Sequence, residues 1–125
     1  SIYAGLPAHS YHQDEQVQTI QAWIHEHYKE NTSLGQLAEM VHLSPRQLQR
    51  RFSTTLGEPP LQYLQRVRIE AARKMLERGT SNLARLSEQV GYQDVSSFSR
   101  LFKRHTGLSP SHYRQRFART DALTD

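Results

Sequence analysis

At 125 residues the chain has room for one domain, or for two small lobes that share a connecting element, each near the lower size limit for an independent core. It has no cysteine, which excludes a disulfide framework and any thiolate metal site and points to a reducing, cytoplasmic setting as the expectation; no apolar run approaches the roughly 20 residues of a membrane span, and the opening residues do not read as a charged-then-apolar signal peptide. The net charge of +4 is uneven: residues 1–30 carry one basic and four acidic groups, residues 44–78 eight and three, and residues 94–119 six and one. Basic clustering of this kind is the electrostatic footprint of a nucleic-acid binder, although an ordinary solvated surface can carry as much charge.

Residues 1–13 show no periodicity and read as a linker tail from a preceding domain. Asp14 can cap a helix running to about Lys29, with Val17, Ile20, Trp23 or Ile24, and His27 or Tyr28 on one face. Asn31-Thr32-Ser33 ends it and caps a short helix, Leu34–Val41. After the turn at His42-Leu43, Ser44-Pro45 supplies an N-cap with proline at the first helical position, where its missing N–H costs nothing. That helix continues through Leu48 and Phe52 and stops at Gly57. Pro59-Pro60 opens a long helix, Leu61–Arg78, ended by Gly79; its 18 residues span roughly 27 Å. Asn82 caps Leu83–Val90, Gly91-Tyr92-Gln93 turns, and Asp94 caps a helix through Phe98, Leu101 and Phe102. Gly107 closes it, Ser109-Pro110 caps a last helix to about Phe117, and residues 118–125 read as a frayed tail. No stretch alternates like a strand, so the expected fold is all-α. The expected division is residues 14–58, a linker helix over 59–79, and residues 80–117.

The chain also repeats itself. Leu34, Leu37, Glu39 and Val41 recur as Leu83, Leu86, Glu88 and Val90 at an offset of 49. After one inserted turn residue, Arg50, Phe52, Gly57, Pro60, Tyr63, Gln65 and Arg66 recur as Arg100, Phe102, Gly107, Pro110, Tyr113, Gln115 and Arg116 at an offset of 50. Each copy reads as a short helix, a tight turn and a second, basic helix, which is a helix-turn-helix unit. With Leu48, Phe52, Phe98, Leu101 and Phe102 turned to the core, Arg46, Gln47, Gln49, Arg50 and Thr54 face outward in the first copy. Ser96, Ser97, Ser99, Arg100, Lys103 and Arg104 do so in the second. Arginine reads guanine edges, glutamine reads adenine, and short hydroxyls suit either, so the first helix should read more sharply than the second. Gln47, Arg51, Lys103, Arg104 and Arg114 suit phosphates, which position a protein without selecting sequence. A rigid linker helix with its flanking turns could hold two such helices near the ~34 Å of one DNA turn.

The run Gly91-Tyr92-Gln93-Asp94-Val95-Ser96-Ser97-Phe98-Ser99-Arg100-Leu101-Phe102-Lys103-Arg104, followed by Gly107-Leu108-Ser109-Pro110-Ser111-His112-Tyr113-Arg114, resembles the signature of the AraC/XylS family of transcription regulators. Ser44-Pro45-Arg46-Gln47-Leu48-Gln49-Arg50-Arg51-Phe52 and Arg68-Ile69-Glu70-Ala71-Ala72-Arg73 are similar to the matching parts of its first unit and linker helix. The resemblance covers about residues 14–117. It implies seven helices, two helix-turn-helix units and binding in two successive major grooves of double-stranded DNA by a transcription activator. The family's base-facing positions fall on Arg46, Gln49 and Arg50, and on Ser96, Ser97, Ser99 and Arg100. It further implies an N-terminal effector or dimerisation domain, which the entry segment likens to the amidase-like (PfpI) subgroup, RNA polymerase as a partner, and a nucleoid location. The isolated chain is expected to be monomeric, because both reading helices lie on it.

Other chemistries are weaker. Histidines at 9, 12, 25, 27, 42, 105 and 112 include no i, i+4 pair, so neither a metal nor any cofactor is expected. Ser96-Ser97-Phe98-Ser99 has no acid–base partner in sequence, and no carboxylate cluster supports an enzyme acting on nucleic acid. Trp23 and the helically spaced Tyr and Phe residues are expected in the core. The competing reading is a helical protein-interaction module for an acidic partner, which would need exposed Leu, Met or aromatic anchors on the repeated basic helices.

Overall fold

A computed structural model describes residues 14–119. The expected linker tail, His9 and His12, and the tail beyond Arg119 lie outside the described residues. Among these residues there are seven helices and no strand: α1 (Glu15–His27), α2 (Leu34–Met40), α3 (Pro45–Leu56), α4 (Pro60–Glu77), α5 (Leu83–Gln89), α6 (Val95–Thr106) and α7 (Pro110–Phe117). None is long and apolar enough to cross a membrane. They divide into two compact units: residues up to His27 with Thr32–Leu64, and Tyr28–Asn31 with the chain from Gln65 onward.

Local chemistry sets the boundaries. Ser33 and Ser44 form capping boxes with Gln36 and Gln47, in which each serine Oγ accepts the glutamine N–H at 3.1 Å and each glutamine Oε1 accepts the serine N–H at 2.9 Å. Gly57 and Gly107 end α3 and α6 in the left-handed conformation (φ +82° and +84°), their N–H groups donating to Ser53 and Lys103 carbonyls.

The first unit buries Val17, Ile20 and Ile24 of α1 with Leu37, Ala38, Val41, Leu48, Phe52, Tyr63 and Leu64. The second buries Ile69, Ala72 and Leu76 of α4 with Leu86, Val90, Phe98, Phe102 and Tyr113. A third, unsigned part of the repeat thus emerges. Val17, Ile20 and Ile24 correspond to Ile69, Ala72 and Leu76 at a constant offset of 52. At the same offset, Gln21 and His25 correspond to Arg73 and Glu77, and each pair serves its unit's tyrosine. The Tyr63 hydroxyl accepts from Gln21 Nε2 at 2.9 Å and lies 2.7 Å from His25 Nε2. The Tyr113 hydroxyl donates to Glu77 and accepts from Arg73 Nη1 at 3.3 Å. Burial, then the Glu77 carboxylate, pushes the Tyr113 phenol above its ordinary value. Each tyrosine meets a phenylalanine edge-to-face, Tyr63 with Phe52 at 5.5 Å and Tyr113 with Phe102 at 5.4 Å. α4 from Ile69 onward therefore does for the second unit what α1 does for the first.

Two aromatic expectations are corrected. Phe117 is 47% exposed, because it lies in the last turn of α7 and covers only the outer side of Tyr113, with a ring separation of 4.7 Å. Trp23 is half-buried and stacks on His27 at 4.8 Å, since Ile20 and Ile24 take the inward positions. Helix α1 stops at His27 rather than near Lys29. The reason is Arg68: it is buried in α4 and donates to the carbonyls of Tyr28 (2.6 Å) and Glu30 (3.0 Å), drawing residues 28–31 out of the helix and into the second unit.

The turns between paired helices use one backbone solution. His42 (φ +59°) and Gly91 (φ +104°) occupy equivalent positions after α2 and α5. Glycine is needed at 91 for a further reason: a Cβ there would sit 2.9 Å from the Arg68 guanidinium and 3.0 Å from the Tyr28 carbonyl.

Candidate nucleic-acid interface

In the first unit, α3 turns Leu48 and Phe52 fully inward. Arg46, Gln47, Gln49, Arg50 and Thr54 are exposed, as the spacing requires. Arg46, Gln49 and Arg50 have no hydrogen-bond or ion-pair partner among the described residues, so their donors are available to an external ligand. Gln47 spends its Oε1 on the capping box. Arg51 is engaged: Nε and Nη2 donate to the two Asp14 carboxylate oxygens at 3.2 and 2.9 Å, and Nη2 also donates to Gln16 Oε1 at 2.8 Å. Asp14 in turn accepts the Val17 N–H, so one carboxylate caps α1 and ties it to α3.

In the second unit, α6 buries Phe98 and Phe102 and exposes Ser96, Arg100, Lys103 and Arg104, while Ser97 and Ser99 are half-buried. Asp94 caps the helix, one carboxylate oxygen accepting the Ser97 N–H at 2.7 Å and the other the Ser97 hydroxyl at 3.1 Å. Those two bonds, the backbone one foremost, hold the Asp94 carboxyl below the usual carboxylate range, with Arg100 adding to the effect. Arg100 Nη2 donates to Ser97 Oγ at 3.4 Å. Lys103, Arg104 and His105 crowd the last turn, where the negative end of the helix dipole favours them. Arg114 of α7, half-buried, donates to the Ser81 carbonyl at 3.0 Å.

Each unit therefore presents one helix whose outer face carries arginine, glutamine, serine and lysine. The large exposed apolar side chains among the described residues are Met40, Leu61 and Phe117, none of them on α3 or α6. A protein-docking face would need such anchors there. Among the described residues no three His, Cys, Asp or Glu side chains gather into a metal site. Glu39 and Glu88 face solvent. Arg68, the Asp14–Arg51 pair and the tyrosine networks were outside the sequence reading. The one signal for Arg68 is its place on the stripe Leu64, Arg68, Ala72, Leu76, where an arginine between buried residues one turn apart must find partners inside.

Comparison with known proteins gives the same picture. A family model described as a helix-turn-helix domain matches residues 37–116. A protein of Streptomyces lividans described as an AraC-like transcription regulator is 36% identical over 102 residues, which are 82% of this chain and 34% of that protein. The chain spans about a third of the length of the curated relatives it matches. The C-terminal domain of AraT, a response regulator from Geobacillus stearothermophilus, superposes with a TM-score of 0.81 at 28% identity, covering 85% of this chain and 88% of that one. The DNA-binding domain of AdpA, a global transcriptional factor solved with a target DNA, gives 0.77 at 29% identity over 81% and 91%. The duplicated helix-turn-helix sequence, the seven-helix fold and these likenesses together establish that the chain belongs to the AraC-type helix-turn-helix family of transcription regulators.

Proposed function

We propose that this chain binds duplex DNA sequence-specifically as the DNA-binding part of a transcription activator, with α3 and α6 each reading base edges in one of two successive major grooves. The observation that carries the reading is the outward face of the repeated helix. In both units it is polar and cationic, without apolar anchors, and set on a fully buried aromatic core. In this reading Arg46, Gln49 and Arg50 contact bases from α3, and Ser96, Ser97, Ser99 and Arg100 form the second reading face. Gln47, Arg51, Lys103, Arg104 and Arg114 meet phosphates, Arg51 with whatever donors Asp14 and Gln16 leave it. The protein acts by binding, one chain per duplex, and contact with RNA polymerase belongs to the same reading.

Selection from a random duplex library tests it. One bipartite sequence should be enriched, and analytical ultracentrifugation should find one chain on it. A library that emerges unenriched, or an obligatory two-chain complex, would overturn the proposal.

A further inference from the structure

The repeat places three residues at equivalent positions at the start of each reading helix, and their chemistry differs. In the first unit these are Ser44, Gln47 and Arg50; in the second, Asp94, Ser97 and Arg100. Ser44 and Gln47 close on each other, their side chains satisfied by backbone N–H groups, and Arg50 is left without a partner among the described residues. In the second unit the same positions form an open chain. The Asp94 carboxylate takes both the N–H and the hydroxyl of Ser97, and the Ser97 oxygen accepts from the Arg100 guanidinium.

Physical consequences follow from that difference. A hydroxyl whose proton is committed to a carboxylate has only its lone pairs to offer, so Ser97 is an acceptor toward Arg100 and a poor donor to a base. Its bond to Arg100 is long, at 3.4 Å, and hence readily exchanged. A guanine edge with two acceptors can displace it, whereas a site offering one acceptor gains little over what Arg100 already has. Asp94 is ionised and exposed, and its charge opposes a phosphate approaching the start of α6. We propose that Asp94 and Ser97 are positioning residues that set the specificity of the second reading helix by holding Arg100 in reserve. The inference rests on the DNA-binding reading above and deepens it: Ser97 serves the second reading face through its hold on Arg100 rather than through a base contact of its own.

The test uses the full chain, a duplex selected from a random library and a scrambled duplex of equal length, with affinities measured by fluorescence anisotropy across a salt series. Arg100→Ala should lower the selected-to-scrambled ratio about tenfold, and Ser97→Ala should reproduce most of that loss. In the Arg100→Ala background, Ser97→Ala should change the ratio less than about twofold, because its partner is gone. Asp94→Asn retains an N-cap of equal quality and keeps the helix, which circular dichroism verifies. It should nevertheless bind scrambled DNA more tightly and steepen the salt dependence there by about one unit, as Arg100 becomes free to meet a phosphate. That steepening should vanish in the Arg100→Ala background; equal steepening there would mean that only the lost Asp94 charge acts, and would overturn the inference. Additive losses from Ser97→Ala and Arg100→Ala, or an Asp94→Asn slope equal to the parent's, would overturn the inference while leaving DNA binding intact. A parent chain that does not distinguish the two duplexes would overturn both.

Discussion

Gly91→Ala isolates the packing that holds the second unit together. Residue 91 sits at φ +104°, where an L side chain is strained by roughly 1–2 kcal/mol. Gly107 also has a positive φ, +84°, but there a Cβ meets nothing within 4 Å, so Gly107→Ala carries the backbone strain alone. At Gly91 the new Cβ would stand 2.9 Å from Nε and Cζ of Arg68 and 3.0 Å from the Tyr28 carbonyl. Arg68 cannot swing aside cheaply. It is buried, its Nε and Nη2 donate to the Tyr28 and Glu30 carbonyls, and its guanidinium lies 5.1 Å from the Tyr92 ring centroid. Displacing it weakens one or two charge-assisted hydrogen bonds, at about 1.5–3 kcal/mol each. The expected destabilisation is therefore about 3–5 kcal/mol for Gly91→Ala against about 1–2 kcal/mol for Gly107→Ala. For units of this size that separates the melting temperatures by on the order of 10 °C or more. Urea and thermal melts followed by circular dichroism measure both. Equal losses in the two variants would refute the argument, because they would show that nothing presses on residue 91.

Further outcomes follow from the same contacts. Arg46→Ala or Arg50→Ala should cost about 1–3 kcal/mol on the selected duplex and relax base preference at one or two positions, whereas Lys103→Ala should weaken all duplexes alike and lower the salt slope by about one unit; competitive titration against a base-substituted panel distinguishes them. Asp14→Ala removes both the α1 cap and the partner of Arg51, and should destabilise the first unit by about 1–2 kcal/mol in urea melts. Asp94 is held below the usual carboxylate range by the Ser97 hydrogen bonds, and Glu70 by its hydrogen bond to Arg73. Both shifts are downward, so the stability they confer is complete above the unfolded carboxylate value near 4 and is lost as pH falls through their lower folded values. Melting temperature should hold between pH 7 and 5 and fall below about pH 4, with a smaller fall in Asp94→Asn and Glu70→Gln.

What could be read from the sequence divides along local and long-range lines. Caps and stops are local chemistry, so Ser44-Pro45, Asn82, Asp94, Ser109-Pro110, Gly57 and Gly107 marked helix ends within a residue or two. The outward faces of α3 and α6 followed from helical spacing around Leu48, Phe52, Phe98 and Phe102. The correspondence of α1 with α4 carries no identities and survives only as apolar pattern, so matching letters could not show it. The Asp14–Arg51 pair has no signal in the residue types, because the two lie 37 positions apart and only tertiary packing brings them together. Arg68 escaped notice likewise, its acceptors being backbone carbonyls that have no signature in the residue types. The link of Asp94 to Ser97 and Arg100, by contrast, has i, i+3, i+6 spacing, and was open to being read as hydrogen bonds rather than as three separate surface residues.

The central claim is that both repeated helices read bases on one duplex. Its most direct measurement is the base preference of Arg50→Ala and Arg100→Ala, determined by repeating the library selection with each variant. Each substitution should erase preference at one or two positions of the parent sequence, the two sets should not overlap, and every other position should keep its preference. Loss of affinity without any change in base preference in both variants, or base preference altered by Arg50→Ala alone, would contradict it.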